Sequence, residues 1–195
     1  ALLAAPFIAV FLLLSFWKNS TENYYSEIMK NDLTEGRMAF EKQLDIMCAG
    51  AFSVSNDSDL KCVYFLDGLK DGDNNIAALI RCNDMLRQTF ADSEHYQNYS
   101  VIMKNELIFR KSGMVVGDKF FYDNYCTYQN TDFETWRKQS FESNTWQLFP
   151  LEEIDTGERT FQAMTFSYPV RNYIQQEPEA NAVVQFLLSK ENLEQ

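Results

Sequence analysis

Residues 1–17, ALLAAPFIAVFLLLSFW, contain no charged side chain, and a long helical period follows them without a proline. As an uninterrupted helix the segment is roughly 26 Å long at 1.5 Å per residue, slightly short of a ~30 Å hydrocarbon core. Pro6 is tolerated more readily in a membrane helix than in a soluble one. Trp17 followed by Lys18 matches an interfacial aromatic with a snorkelling cation. A cleavable signal would need small residues after the apolar core, whereas LLLSFWKNSTENYY places large ones there. The segment therefore reads as an uncleaved membrane anchor with one visible pass.

Beyond Trp17, apolar or small residues recur at Tyr25, Met29, Leu33, Gly36, Phe40, Leu44, Met47, Ala51 and Val54. Steps of three and four are the helical period, and Glu22, Glu27, Lys30, Glu35, Glu41, Lys42 and Asp45 fall between them as a solvated face. The spacing predicts a stalk and packing helix over residues 18–55, about 45 Å of it continuous with the anchor. Its C-terminal half packs on a folded domain, and its stripe offers a seam for a second copy, so the expected state is a homodimer.

The formal charge, 17 cations against 28 anions, is −11. Such a chain repels phosphate backbones, which excludes nucleic-acid binding by this stretch. The single histidine, His95, leaves almost no ligand set for zinc. Cys48, Cys62, Cys82 and Cys126 form no CxxC pair, and either a disulfide or free thiols fit them. Aromatics at 15 %, with 7 Gly and 4 Pro, make residues 56–190 a folded domain, not a disordered one.

Within that domain, DGLKDGDNN is a turn-rich loop, and Asp73 or Asn74 can cap a helix with its apolar face at Ile76, Leu79, Ile80, Leu86 and Phe90. The period then changes. YSVIMKNELIFRKSGMVV reads as a hairpin, residues 99–104 and 107–110, with a further turn at Ser112-Gly113 before residues 114–116. Thr131-x-x-Glu134 has the form of a capping box for a short helix to about Phe141. NTWQLFP suggests a short strand over 146–149, the pair Glu152-Glu153 reads as solvated loop, and ERTFQAMTFSYPV and NAVVQFLLS are two long strands. Residues 191–195 look like the start of a following helix. The expected class is α+β: a long N-terminal helix packed on an antiparallel sheet of about five strands.

The order long helix, YSVIMKNELIFRKSGMVV, FYDNYCTYQNTDFETWRKQSF, TFSYPV and NAVVQFLLSKENLEQ resembles the extracytoplasmic Cache sensor domain. The likeness is to the membrane-distal half of the double-Cache region in AraC-type transcriptional regulators and sensor histidine kinases of Firmicutes. It implies a PAS-like sheet outside the cell membrane, with residues after Lys18 extracytoplasmic. It also implies a ligand signal passed through the long helix to an output, here a transcriptional regulator, beyond these residues. In amino-acid-sensing relatives an Arg, a Trp, Tyr residues and an Asp grip the ligand, and Trp136-Arg137 occupies the matching region.

Catalysis finds no support in the residues. A Ser-His-Asp or Cys-His site would need His95, which lies in the polar stretch DSEHYQNY, and no glycine-rich phosphate loop is present. No cofactor and no metal are expected. The aromatics Tyr122, Tyr125, Trp136, Trp146 and Tyr168 are the candidate walls of a ligand pocket, with Arg137 as the cation for a carboxylate. The expected partners are the membrane through residues 1–17 and either a small molecule (carboxylate, sugar or peptide) or an extracytoplasmic binding protein. The rival expectation is an anchored surface module that presents its sheet to a partner and binds no small molecule.

Overall fold

The computed structural model describes the backbone of residues 4–64, 72–90, 98–171 and 180–193, and their side chains except at 4–23, 62, 64, 72–75 and 192–193. Two compact units are present, residues 1–44 and 45–195. The anchor segment keeps helical backbone from Ala4 onward, but its side chains lie outside the described set. Among the described residues no helix is long and apolar enough to cross a membrane.

Helix α1 (Ala4–Asn56) is unbroken for 53 residues. Its period meets two environments. Tyr25, Met29 and Leu33 are 60, 65 and 74 % exposed, whereas Met47, Ala51 and Val54 are buried. Asp57 then accepts the backbone N–H groups of Asp59 and Leu60, capping α2 (Ser58–Tyr64). Helix α3 (Gly72–Phe90) begins one residue earlier than the expected caps, so Asp73 and Asn74 lie in its first turn. Its expected apolar face is corrected too: Ile76 and Ile80 are exposed, and the buried line runs Leu79, Cys82, Leu86 and Phe90. Steps of 3, 4 and 4 residues along that line keep one helical face inward.

The sheet has seven antiparallel strands rather than about five, in the order β3-β2-β1-β7-β6-β5-β4. The strands are β1 (Asn98–Met103), β2 (Leu107–Arg110), β3 (Gly113–Val116), β4 (Thr127–Tyr128), β5 (Gln147–Asp155), β6 (Thr160–Val170) and β7 (Ala182–Ser189). Two short edge strands, β3 and β4, account for the difference. Strand β5 also runs past the expected end at 149, through Pro150, Glu152 and Glu153. A register shift between Phe149 and Glu152 lets Pro150 sit where it breaks no ladder bond. Helices α4 (Asp118–Tyr125) and α5 (Phe133–Glu142) fall between β3 and β5. The cap of α5 is Asp132, which accepts from Thr135 N at 2.8 Å, so the expected Thr131 box is displaced by one residue. The following helix, α6 (Lys190–Leu193), starts directly at the end of β7.

Strand β7 is buried at all eight positions, because helices cover the sheet on both sides. On one face Phe186 meets Phe90 of α3 at 5.2 Å between ring centroids and Phe166 of β6 at 6.0 Å. Helix α1 joins that layer at Gly50, where an added Cβ would stand 3.0 Å from the Phe90 ring. The other face carries Ile102, Ile108, Ala163, Val183 and Leu187, packed with Tyr122, Trp136 and Phe141 from α4 and α5.

Gly157 forms the tip between β5 and β6 with φ at +75°, and a Cβ there would lie 2.3 Å from the backbone oxygen of Asn124 in α4. Gly157→Ala therefore meets both a left-handed strain and a clash with backbone, and is expected to destabilise the fold by about 2 kcal/mol or more. Urea unfolding of the two proteins measures this. An unchanged midpoint would show that the β5–β6 tip does not bear on α4.

Candidate functional site

The loop from α4 through β4 to the start of α5 folds back on itself over the second sheet face, and specific residues hold it there. The Tyr122 hydroxyl donates to Thr131 O, and Thr127 Oγ1 donates to Tyr122 O at 2.9 Å. Glu152 of β5 accepts from Asn130 N with one carboxylate oxygen and from Thr131 Oγ1 at 3.1 Å with the other. The pair that reads as solvated loop in the sequence is thus split by the strand's alternation. Glu152 braces the loop and Glu153 faces water.

This bracing leaves a cleft of about 620 Å³, within the range of small-molecule sites. Tyr122, Tyr128 and Phe133 make its aromatic floor. The Tyr122 ring stands 5.7 Å from Phe133 and 6.3 Å from Tyr128, nearly parallel to the latter. Gln129 and Asn130 add amide groups, and Asp123, Asp132 and Glu134 outnumber Lys119 on the rim. Lys119 Nζ is itself 3.4 Å from Asp123. The Asp132 carboxyl is held below its ordinary range by the Thr135 backbone N–H it accepts. Charge on this rim is net negative, so the cleft suits a neutral polyol or a cation better than a carboxylate.

Beneath the floor lies a buried polar row. Gln185 Nε2 donates to Ser140 Oγ at 2.8 Å, and the Ser140 hydroxyl donates to Trp136 O at 2.7 Å. Tyr128 and Thr165 share a hydroxyl contact of 2.9 Å. Trp136 Nε1 is buried beside the Tyr128 hydroxyl, with no acceptor at normal hydrogen-bond geometry among the described residues. Burial pushes the Tyr128 phenol well above its ordinary value, and Tyr122 is raised in the same way.

The six residues singled out from the sequence are divided by the sheet. Tyr122 and Trp136 come together, 5.4 Å between ring centroids, and both are buried. Tyr125 and Arg137 lie on the same side, but neither lines the cleft. Arg137 is paired with Asp118, and its guanidinium lies 5.4 Å from the Phe141 ring. Tyr125 instead faces Arg110, with the guanidinium 3.8 Å from its ring. Trp146 is on the other face, stacked 5.7 Å from Phe166. Tyr168 follows Phe166 by two residues along β6 and shares that face. The amides and acids of the cleft were invisible as a set, since Asp123 and Glu134 meet only once the loop folds back. His95 lies outside the described residues.

Among the described residues no group of three His, Cys, Asp or Glu side chains could hold a metal ion. Cys48, Cys82 and Cys126 are free thiols, and the Cys62 side chain lies outside the described set. No protein-family model and no curated protein matches this chain.

Burial pushes the thiols of Cys82 and Cys126 up from an ordinary 9.0 to about 12, with Asp57 and Asp59 adding to the rise at Cys82. A raised acid pKa means the folded protein holds the proton more tightly than the unfolded chain. Stability is then whole below the unfolded value near 9.0 and is lost as pH climbs toward about 12. Urea midpoints are expected to fall steadily above about pH 9, and Cys126→Ala should flatten part of that slope. A slope identical in the variant would mean that this thiol does not stay protonated in the fold.

Proposed function

We propose that this chain is the sensing part of a membrane-anchored bacterial receptor, with a PAS-like domain of the Cache kind. Residues 1–17 anchor it in the cell membrane, residues after Lys18 are extracytoplasmic, and α1 carries the signal toward an output domain, a transcriptional regulator. The domain is not an enzyme and uses no cofactor. The observation that carries this reading is the continuity of α1. One helix includes both the uncharged segment and the buried residues Met47, Ala51 and Val54 of the folded unit. A ligand that favours one arrangement of the domain can therefore act on the helix without an intervening loop.

The α4–β4–α5 cleft is the site assigned to the ligand. Its aromatic floor offers a stacking surface, and Gln129, Asn130 and the acids of the rim offer hydrogen bonds to hydroxyl groups. Among the expected ligand chemistries these features favour a sugar over a carboxylate.

The second reading, an anchored interaction module without a small ligand, draws on one specific observation. Tyr24, Tyr25, Met29, Leu33 and Met38 are all 60 % exposed or more on α1. Paired with a second copy in a homodimer, these side chains would leave water.

A thermal-melt screen of the full chain against sugars, amino acids, organic acids and short peptides separates the two. A ligand at 100 times its Kd adds about 2.7 kcal/mol of stability. The expected result is a saccharide that raises the melting temperature of the native chain and has a much smaller effect on Asn130→Ala. A flat screen with a well-folded protein would move the assignment to the interaction module.

A further inference from the structure

We infer that this chain carries a second ligand site, separate from the α4–β4–α5 cleft, that takes a small hydroxycarboxylate on the guanidinium of Arg110. The inference does not depend on the sensor reading. Arg110 closes β2 and is only 7 % exposed, which is rare for a cation whose carboxylate partner stands off at 4.0 Å. The Tyr125 ring lies 3.8 Å from its guanidinium carbon, covering one side of the plane. The nearest carboxylate oxygen belongs to Glu158 at 4.0 Å, on a side chain that is 79 % exposed. No side-chain hydrogen bond of Arg110 is present among the described residues, although a guanidinium has five N–H donors in a fixed fork.

Arg110 lines a cavity of about 400 Å³ together with Asn98, Lys111, Glu158, Arg159 and Phe161. Three cationic residues against the single carboxylate of Glu158 stand out around one cavity in a chain of net charge −11. A carboxylate matches the fork bidentately and supplies the counter-charge. Asn98 Oδ1, on the same face of the sheet, is buried and receives no hydrogen bond among the described residues. It asks for a donor on the ligand. Hydroxyl and ammonium groups both donate, but an ammonium would sit among Arg110, Lys111 and Arg159 with only the exposed Glu158 to offset them. Like-charge repulsion selects the hydroxyl. Phe161 offers an apolar wall for the short carbon chain.

The experiment is calorimetric titration of the full chain with L-malate, succinate and L-aspartate at constant ionic strength. Malate is expected to bind saturably. Succinate, lacking the hydroxyl, should bind about 3- to 10-fold more weakly. Aspartate should also be weaker. Arg110→Gln should weaken malate by about 10-fold or more. Glu158→Gln, an exposed change that removes the competing carboxylate, should tighten it several-fold, and this variant decides the matter if Arg110→Gln fails to fold.

The site is overturned if malate shows no saturable binding or if folded Arg110→Gln binds as the native chain does. It also fails if Glu158→Gln leaves the affinity unchanged. Aspartate binding more tightly than malate would overturn the choice of a hydroxyl ligand.

Discussion

Strand β7 is buried along its whole length, and the rest of the second unit is arranged around that fact. A strand covered on both faces needs apolar or paired residues at every position, and AVVQFLLS supplies them. Phe186 looks toward α3 while Val183 and Leu187 look toward α4 and α5. Gln185, the one amide in the run, is satisfied by Ser140 of α5. That bond ties α5 to the sheet at one place, because an unpaired buried amide would cost more than the bond contributes. The cleft above α5 inherits its position from this contact.

The two cavities on this side of the sheet differ in charge for structural reasons. The cleft lies where the turn before α5 brings Asp132 to a cap and Asp123 and Glu134 to the rim. The Arg110 cavity lies where the β5–β6 tip reaches across to β2, with Gly157 pressed against α4. One chain of strongly negative charge thus offers a negative cleft and a positive cavity on the same layer. Ligands of opposite charge would be sorted between them by field alone. The six residues chosen from the sequence assumed a single pocket, and Arg137 as its cation. Arg137 is committed to Asp118, whereas Arg110 on β2 is a buried guanidinium without a side-chain hydrogen bond among the described residues.

Legibility in the sequence followed the range of the interactions. The β1–β2 hairpin and the long closing strands were readable because alternation and turn residues are local signals. Strand β5 was half hidden. Pro150 and the two glutamates argue against a strand, and only the bulge and the pairing with β6 overrule them. Helix α4, DKFFYDNY, has aromatics at adjacent positions and no clear period, so its helicity depends on packing Phe121 and Tyr122 inward. Arg110 gave no signal at all. In FRKSG it looks like a turn-flanking surface cation, and its burial arises from Tyr125 and a hairpin tip almost 50 residues away.

Helix α1 makes the same point from the other direction, since its period was the clearest signal in the sequence and still did not say what covers it. The stripe is continuous from Tyr25 to Val54, yet Leu33 is 74 % exposed and Ala51 is fully buried. At the buried end Gly50 and Ala51 allow the helix to approach Phe90 closely, and Met47 and Val54 pack beside them. Small residues are what a helix needs against a ring already in place. Periodicity along one unbroken helix therefore decides which face can be buried, while elements distant in sequence, such as α3 through Phe90, decide where along the helix it is buried.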